Sequence, residues 1–239
     1  MGFNMIRVHQ LVEPDRFYYW CDKLGVALFQ DMPAAHPGKR YKLGESPQTD
    51  MEFKRELSRM VETHWNHPSI VMWDIFNEGW GQHDTKGLVR LVKKLVPTRL
   101  VDSANVGIDE GVGSVVDLHC YPGPCSPTPE GHRAAVLGES GGPGFAIPEH
   151  LWKKNSWGYK AIRGSIEFLH NYRKLFEKVS VLKKVSLSAA VYTQLTDVET
   201  DVNGLMTYDR KIMKIDPAQA YCIDRNEVPT SPGTKAYCH

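Results

Sequence analysis

The 239-residue sequence predicts an α/β protein built on a parallel sheet. Three observations predict it. Short apolar runs alternate with amphipathic stretches of helical period along most of the chain. Polar and ionisable residues stand at the carboxyl ends of several of those runs, where parallel-sheet folds bind their ligands. The composition, 41% hydrophobic and 24% charged, is that of an ordinary globular protein and excludes disorder or fibrous structure as the main reading. A (β/α)8 barrel typically takes about 250 residues, slightly more than this chain supplies.

The elements follow in order. Phe3 to His9 is an apolar run that leads to Pro14 at a helix start, and Phe17, Trp20, Cys21 and Leu24 then recur at helical spacing before Gly25. Val26 to Gln30 is the second strand, residues 33 to 48 a Pro/Gly-rich loop, and Met51 to Trp65 the next helix, with Trp65, Trp20 and Phe17 expected in the core. Ser69 to Phe76 is the third strand, with Asp84 as N-cap of a helix through Leu95. Arg99 to Asp102, Val115 to His119 and Ala134 to Glu139 are short strands joined by glycine-rich turns. After a loop over 141 to 160, a helix covers about 165 to 184 and Leu187 to Gln194 is the seventh strand. Residues 1–216 form the expected domain; from Pro217 to 239 the chain has little periodicity and is expected to be an irregular tail.

Lys and Arg number 29 against 28 Asp and Glu, a net charge of +1, so nothing electrostatic points to nucleic acid or an anionic membrane. No apolar run approaches the roughly 18 residues of a membrane span, and Met1-Gly2-Phe3-Asn4 lacks the zones of a signal peptide. The five cysteines, Cys21, Cys120, Cys125, Cys222 and Cys238, leave the compartment unread; Cys120 and Cys125 could be a metal pair, but with no second CxxC or His-x3-His to complete it they are expected to be free thiols. No metal is expected: His64, His67 and His83 do not form an HExxH arrangement.

The strand ends carry Arg7 and His9, Asp31, Asn77 and Glu78, Asn105, His119 and Tyr121, Glu139, then Gln194, Asp197 and Glu199. Glu78 closes an apolar strand before Gly79-Trp80-Gly81, and Glu139 closes another before Ser140-Gly141-Gly142. Two glutamates at the ends of different parallel strands can face each other across a cleft, the arrangement of retaining glycosidases, whose carboxyl groups are about 5–5.5 Å apart. The competing reading pairs either glutamate with Arg7, Arg99 or Arg133 as a structural ion pair. Trp73, Trp80, Trp152 and Trp157 add aromatic faces able to stack on a pyranose.

These residues resemble a known family. Gly2 to Arg7, Tyr19 to Gly25 and Gln30-Asp31-Met32-Pro33 are similar to the catalytic barrel of glycoside hydrolase family 2, the β-galactosidase, β-glucuronidase and β-mannosidase group. His67 to Glu78 resembles its acid/base signature, and the likeness continues through Val136 to Gly142, Tyr192 to Glu199 and Asn203 to Arg210. The resemblance implies an α/β fold of the (β/α)8 TIM-barrel type, incomplete because the first strand and helix are missing and Phe3 to His9 is strand two. It implies Glu78 as general acid/base, Glu139 as nucleophile, Asn77 as donor to the sugar 2-hydroxyl, Arg7 as support, and His119 and Tyr121 as groups flanking the nucleophile. His9, Trp80, Gln194 and Asp197 are further candidate substrate contacts. Strand eight has Thr193-Gln194 where several members have tryptophan, and no Asn-x-Lys pair of the kind that reads a glucuronate carboxylate is present.

The expected function is therefore a retaining exo-β-glycosidase, most like β-galactosidase, that takes a carbohydrate substrate and needs no cofactor. The alternative is a truncated barrel that binds carbohydrate without hydrolysing it, or that associates with itself through open strand edges.

Overall fold

The computed structural model describes residues 1–34 and 46–225. Its elements are β1 (Met5–Val8), α1 (Asp15–Leu24), β2 (Ala27–Asp31), α2 (Pro47–His64), β3 (Ile70–Asp74), α3 (Thr85–Leu95), β4 (Leu100–Asp102), β5 (Val115–Cys120), β6 (Ala134–Gly141), β7 (Pro143–Gly144), β8 (Lys160–Ala161), α4 (Ser165–Val185), β9 (Leu187–Thr193) and α5 (Pro217–Asp224). A single 3₁₀ turn, Asn77–Gly79, lies between β3 and α3. The chain divides into two compact units, and β5 and β6 each run from the first into the second. The α/β class expected from the alternating pattern is the class observed.

The first unit comprises Asn4–Leu118 and Pro127–Val136. Its sheet, in the order β1-β2-β3-β4, is parallel throughout. The register aligns Asp31 with Asp74 and Asp74 with Asp102, so three carboxylates arrive side by side at the carboxyl ends. Leu28, Ile70, Trp73, Ile75 and Val101 pack against Leu57, Val61, Leu88 and Val92 of α2 and α3. Each such side chain contributes about 1.5–3 kcal/mol by leaving water.

Helix α1 ends where Gly25 adopts a left-handed conformation and its N–H bonds the Cys21 carbonyl. Its buried residues are Tyr18 and Cys21, while Trp20 is 50% and Leu24 70% exposed, which corrects the expected apolar stripe. Tyr18 can face the core because its hydroxyl donates to Gln30 Oε1 at 2.7 Å; Trp20 instead lies under the Lys23 ammonium. Trp65 closes α2 and is likewise exposed rather than core. Helix α2 starts four residues before the expected Met51, because Ser46 accepts the Thr49 N–H and Pro47 takes the first helical position. Most of the expected 33–48 loop lies outside the described residues.

The second unit comprises Met1–Phe3, His119–Ser126 and the chain from Leu137. The sheet to which it contributes runs β5-β6-β9, and its core gathers Ile162, Phe168, Tyr172, Leu205, Ile215, Ala220 and Ile223. Two features correct the sequence reading. The stretch from Pro217 opens with a helix, α5, because Asp216 caps its first turn by accepting from Ala218 and Gln219 and its proline sits at the first position. Residues 226–239 lie outside the described residues. The free thiols expected at Cys120 and Cys125 are also corrected, because the two form a disulfide; Cys222 is disulfide-bonded as well, and buried Cys21 is a free thiol among the described residues. The turn through Pro122, Gly123 and Pro124 brings Cys120 and Cys125 to a Cα separation of 6.0 Å, inside the bonding range. No described helix is long and apolar enough to cross a membrane.

Candidate functional site

In the first unit, Arg7 organises the strand ends. Its Nε and Nη2 donate to Asp31 Oδ1 and Oδ2, both at 3.0 Å, and Nη2 donates to Asn77 Oδ1 at 2.8 Å. Nη2 also stands 3.1 Å from Asp74 Oδ2. The consequence for Asn77 is directional. With its oxygen occupied by a guanidinium, the amide can offer its NH2 group outward as a donor. Asn77 is buried at the start of the 3₁₀ turn, and Glu78 follows it with φ at +49°, a left-handed conformation that costs a non-glycine residue energy. The Glu78 N–H donates to Asn105 Oδ1 at 3.0 Å, and Asn105 Nδ2 donates to Asp74.

Beneath this turn lies a layer of carboxylates. Asp74 is pushed well above the usual carboxylate range by burial and by the charge of Asp31, against the pull of Arg7. Asp102 is pushed up likewise, by burial and then by Asp117. Both therefore hold protons to higher pH than a solvated acid does. His9 and Trp80 meet edge to face with ring centroids 6.3 Å apart, and both are accessible to solvent.

In the second unit, His119 and Tyr121 are two residues apart, the spacing that puts both on one side of the extended chain. The Tyr121 hydroxyl donates to Glu139 Oε2 at 2.6 Å and lies 2.8 Å from Thr193 Oγ1 at the end of β9. His119 Nδ1 stands 3.5 Å from the same Glu139 oxygen. Burial, then the neighbouring Glu139 charge, pushes the Tyr121 phenol far up, so it serves as a donor and not as a base. Tyr121 stacks on Tyr159, centroids 3.9 Å apart and planes within 5°, and Trp157 meets Tyr159 edge to face at 5.2 Å. Gly142, at φ +81°, makes room for this stack: a Cβ there would lie 2.6 Å from the Tyr159 ring.

The sequence candidates thus fall into two groups. Arg7, Asn77, Glu78, His9 and Trp80 share the first unit, and His119, Tyr121 and Glu139 the second, where Gln194 follows Thr193. Asp197 is buried in an ion pair with Lys214 Nζ at 2.6 Å and also accepts the Gly204 N–H. Trp73 is fully buried against the helices and offers no face to a sugar, correcting the expectation for that residue. Arg133, a candidate partner for the glutamates, pairs with Asp109 and Glu130 instead. Each histidine weighed for metal is engaged through Nδ1, His64 with the Met60 carbonyl, His67 with Asp22 and His83 with the Gly81 carbonyl. Sequence reasoning missed Tyr159 and did not give Thr193 its place beside Tyr121. The Gly141-Gly142 pair after Glu139 was the available signal for a close aromatic approach.

Comparison with known proteins gives the following. A sequence model described as "Glycosyl hydrolases family 2, TIM barrel domain" matches residues 1–122. A β-glucuronidase of Bacteroides fragilis is 32% identical over 112 residues, 44% of this chain and 16% of that protein. A β-galactosidase of Leuconostoc mesenteroides is 25% identical over 118 residues, 48% of this chain and 11% of that protein. The chain therefore spans only a small part of the length of these relatives. Among solved structures, a β-galacturonidase of Eisenbergiella tayi bound to galacturonate superposes with a TM-score of 0.67 at 16% identity, covering 93% of this chain and 44% of that one. The β-glucuronidase 2 of Bacteroides uniformis gives a TM-score of 0.66 at 16% identity, covering 95% and 32%.

Proposed function

This chain belongs to glycosyl hydrolase family 2, in its TIM-barrel domain, and we propose that it is the catalytic part of a retaining exo-β-glycosidase most like β-galactosidase. The observation that carries the reading is the Glu139 carboxylate, set two residues before the end of β6 and held by the Tyr121 hydroxyl at 2.6 Å. A carboxylate fixed by a neutral donor, with an imidazole 3.5 Å away, has the surroundings of a nucleophile for an anomeric carbon. Glu78, exposed beside Trp80, is the counterpart assigned to general acid and base catalysis.

In the first step Glu139 attacks the anomeric carbon, the glycosidic C–O bond breaks, and Glu78 gives its proton to the departing oxygen. In the second, Glu78 takes a proton from water, which attacks the same carbon and releases Glu139. The chemistry requires the two carboxyl groups about 5–5.5 Å apart. In this reading the NH2 group of Asn77, whose oxygen is engaged by Arg7, donates to the sugar 2-hydroxyl. His9, Trp80 and the Tyr121–Tyr159–Trp157 aromatics supply apolar and hydrogen-bonding contacts for the ring, with Gln194 as a further polar contact. Asp197 supports the segment after β9 through Lys214.

A 2-fluoro β-galactoside tests the assignment. We expect one covalent label, on Glu139, and loss of turnover of an aryl β-galactoside in Glu139→Gln; a label on another residue, or full activity of the variant, refutes it. Aryl β-glucoside, mannoside and glucuronide in the same assay decide the sugar. The second reading, a carbohydrate-binding barrel without hydrolysis, has one observation in its favour: β1 ends its sheet, with β2 as its one strand neighbour among the described residues. Saccharide binding with no turnover of any of the four substrates would select it.

A further inference from the structure

A cleft of about 330 Å³ opens in the second unit beside the loops that follow Tyr121 and Glu139. One wall is the turn of Pro122 and Gly123 together with Gly141 and Pro143. The other is a face of α4 on which Glu167, His170 or Asn171, Lys174 and Lys178 recur every three or four residues. Lys160 of β8 completes the lining. Its ammonium donates to Asn171 Oδ1 at 2.6 Å, and Asn171 Nδ2 donates to the Glu167 carbonyl at 2.7 Å, so the cation is tethered while two of its three N–H donors remain for a ligand.

The charge balance is one-sided. Three lysines line the cleft against one glutamate, and the Glu167 carboxylate accepts the Arg163 N–H at the start of α4, where the helix dipole favours an acid. Neither Lys174 nor Lys178 has a salt-bridge partner among the described residues. A surface lysine is ordinarily a solvated charge, but three that line one concave site make its potential positive and favour an anion there. The size lies at the lower end of the roughly 300–1,000 Å³ of small-molecule sites and exceeds what an inorganic ion needs. Pro122, Pro143 and Leu175 supply apolar surface of the kind that meets the C–H face of a sugar.

We propose that this cleft is a binding subsite for the carboxylate or sulfate group of an acidic saccharide, separate from Glu139 and recognising part of the substrate other than the sugar that is cleaved. The choice of a saccharide rests on the glycosidase reading above; the choice of an anion rests on the cleft alone.

Calorimetric titration of the whole chain with three probes tests it: trigalacturonate, a heparin-derived tetrasaccharide and neutral galactotriose. One or both acidic probes should bind, more weakly as salt rises, while galactotriose binds less tightly than either that does. Their relative affinity distinguishes carboxylate from sulfate. In Lys174→Gln/Lys178→Gln the acidic probe should bind about tenfold more weakly, two solvent-exposed ion contacts having been lost. Turnover of a neutral aryl β-galactoside should be unchanged, since neither lysine touches the catalytic residues. An acidic probe bound equally by variant and wild type, no binding of either acidic probe, or galactotriose bound as tightly as both, overturns the proposal. Absence of aryl-glycoside turnover in both proteins counts against the glycosidase reading and leaves the binding comparison to decide the cleft.

Discussion

Arg7→Met removes a cation from a site with almost no water. The side chains of Arg7, Asp31 and Asp74 are 3%, 1% and 1% exposed. Methionine keeps most of the stem volume, but the two hydrogen bonds to Asp31, the one to Asn77 and the contact with Asp74 all go. Breaking a buried pair by deleting one partner costs about 3–5 kcal/mol, because the stranded carboxylate must either stay charged without a partner or take up a proton. With a denaturant slope near 3 kcal/mol per molar, the urea midpoint should fall by roughly 1–2 M. The companion Arg7→Met/Asp31→Asn should recover at least half of that loss, since no unpaired charge is then left at Asp31. Catalysis should suffer separately. Without its guanidinium partner the Asn77 amide can rotate, and a lost orienting hydrogen bond of about 1 kcal/mol or more lowers kcat/KM by roughly fivefold or more. Urea titration followed by tryptophan fluorescence reads the first effect, and aryl-glycoside kinetics the second. A midpoint within about 0.3 M of wild type would refute the view that Arg7 neutralises the layer.

Two further outcomes are expected. Asp102→Asn should gain stability relative to wild type as pH rises above about 4, because the folded-state pKa of Asp102 is raised and an acid of that kind favours the folded state only while protonated. Urea midpoints at several pH values check the sign, and a variant equally shifted at all pH values contradicts it. Tyr121→Phe removes a charge-assisted hydrogen bond of about 1.5–3 kcal/mol and should lower kcat/KM roughly ten- to hundredfold, the ring stack on Tyr159 being kept. Wild-type kinetics in that variant would show that the hydroxyl does not support Glu139.

The strand ends were legible because parallel strands advertise themselves as apolar runs closed by polar residues. Arg7, Asn77, Glu78, His119, Tyr121 and Glu139 stood out as candidates in that way. What was not legible depended on contacts between distant segments. Nothing in the local pattern of α1 shows that Tyr18 outranks Trp20 for the core, since the choice turns on Gln30 accepting a hydroxyl from a strand further along. The Cys120–Cys125 bond depends on how a proline-rich turn closes. The helix from Pro217 was signalled by Asp216 followed by proline, a capping pattern outweighed by the weak periodicity downstream. Tyr159 reaches Tyr121 from 38 positions away, through a space that two glycines leave open.

The two proposed catalytic glutamates are restrained in different ways, and the difference suits different tasks. Glu139 is held through its side chain: the Tyr121 hydroxyl binds the oxygen that His119 also approaches, so the carboxylate has a fixed direction. A nucleophile needs that, because bond formation depends on the reacting oxygen lying in line with the bond that breaks. Glu78 is fixed within its unit through the backbone, by a hydrogen bond from its N–H to Asn105 and a turn that gives it a positive φ. An acid that becomes a base must deliver a proton to one oxygen and then take one from another, and a backbone anchor fixes the point from which its side chain reaches both. On this argument Asn105→Ala and Tyr121→Phe should fail differently. The first frees the main chain of the acid and slows both chemical steps, whereas the second disturbs the line of attack and slows formation of the covalent intermediate more than its release. Pre-steady-state release of the aryl group, compared with steady-state turnover, separates the two, and the same burst behaviour in both variants would defeat it.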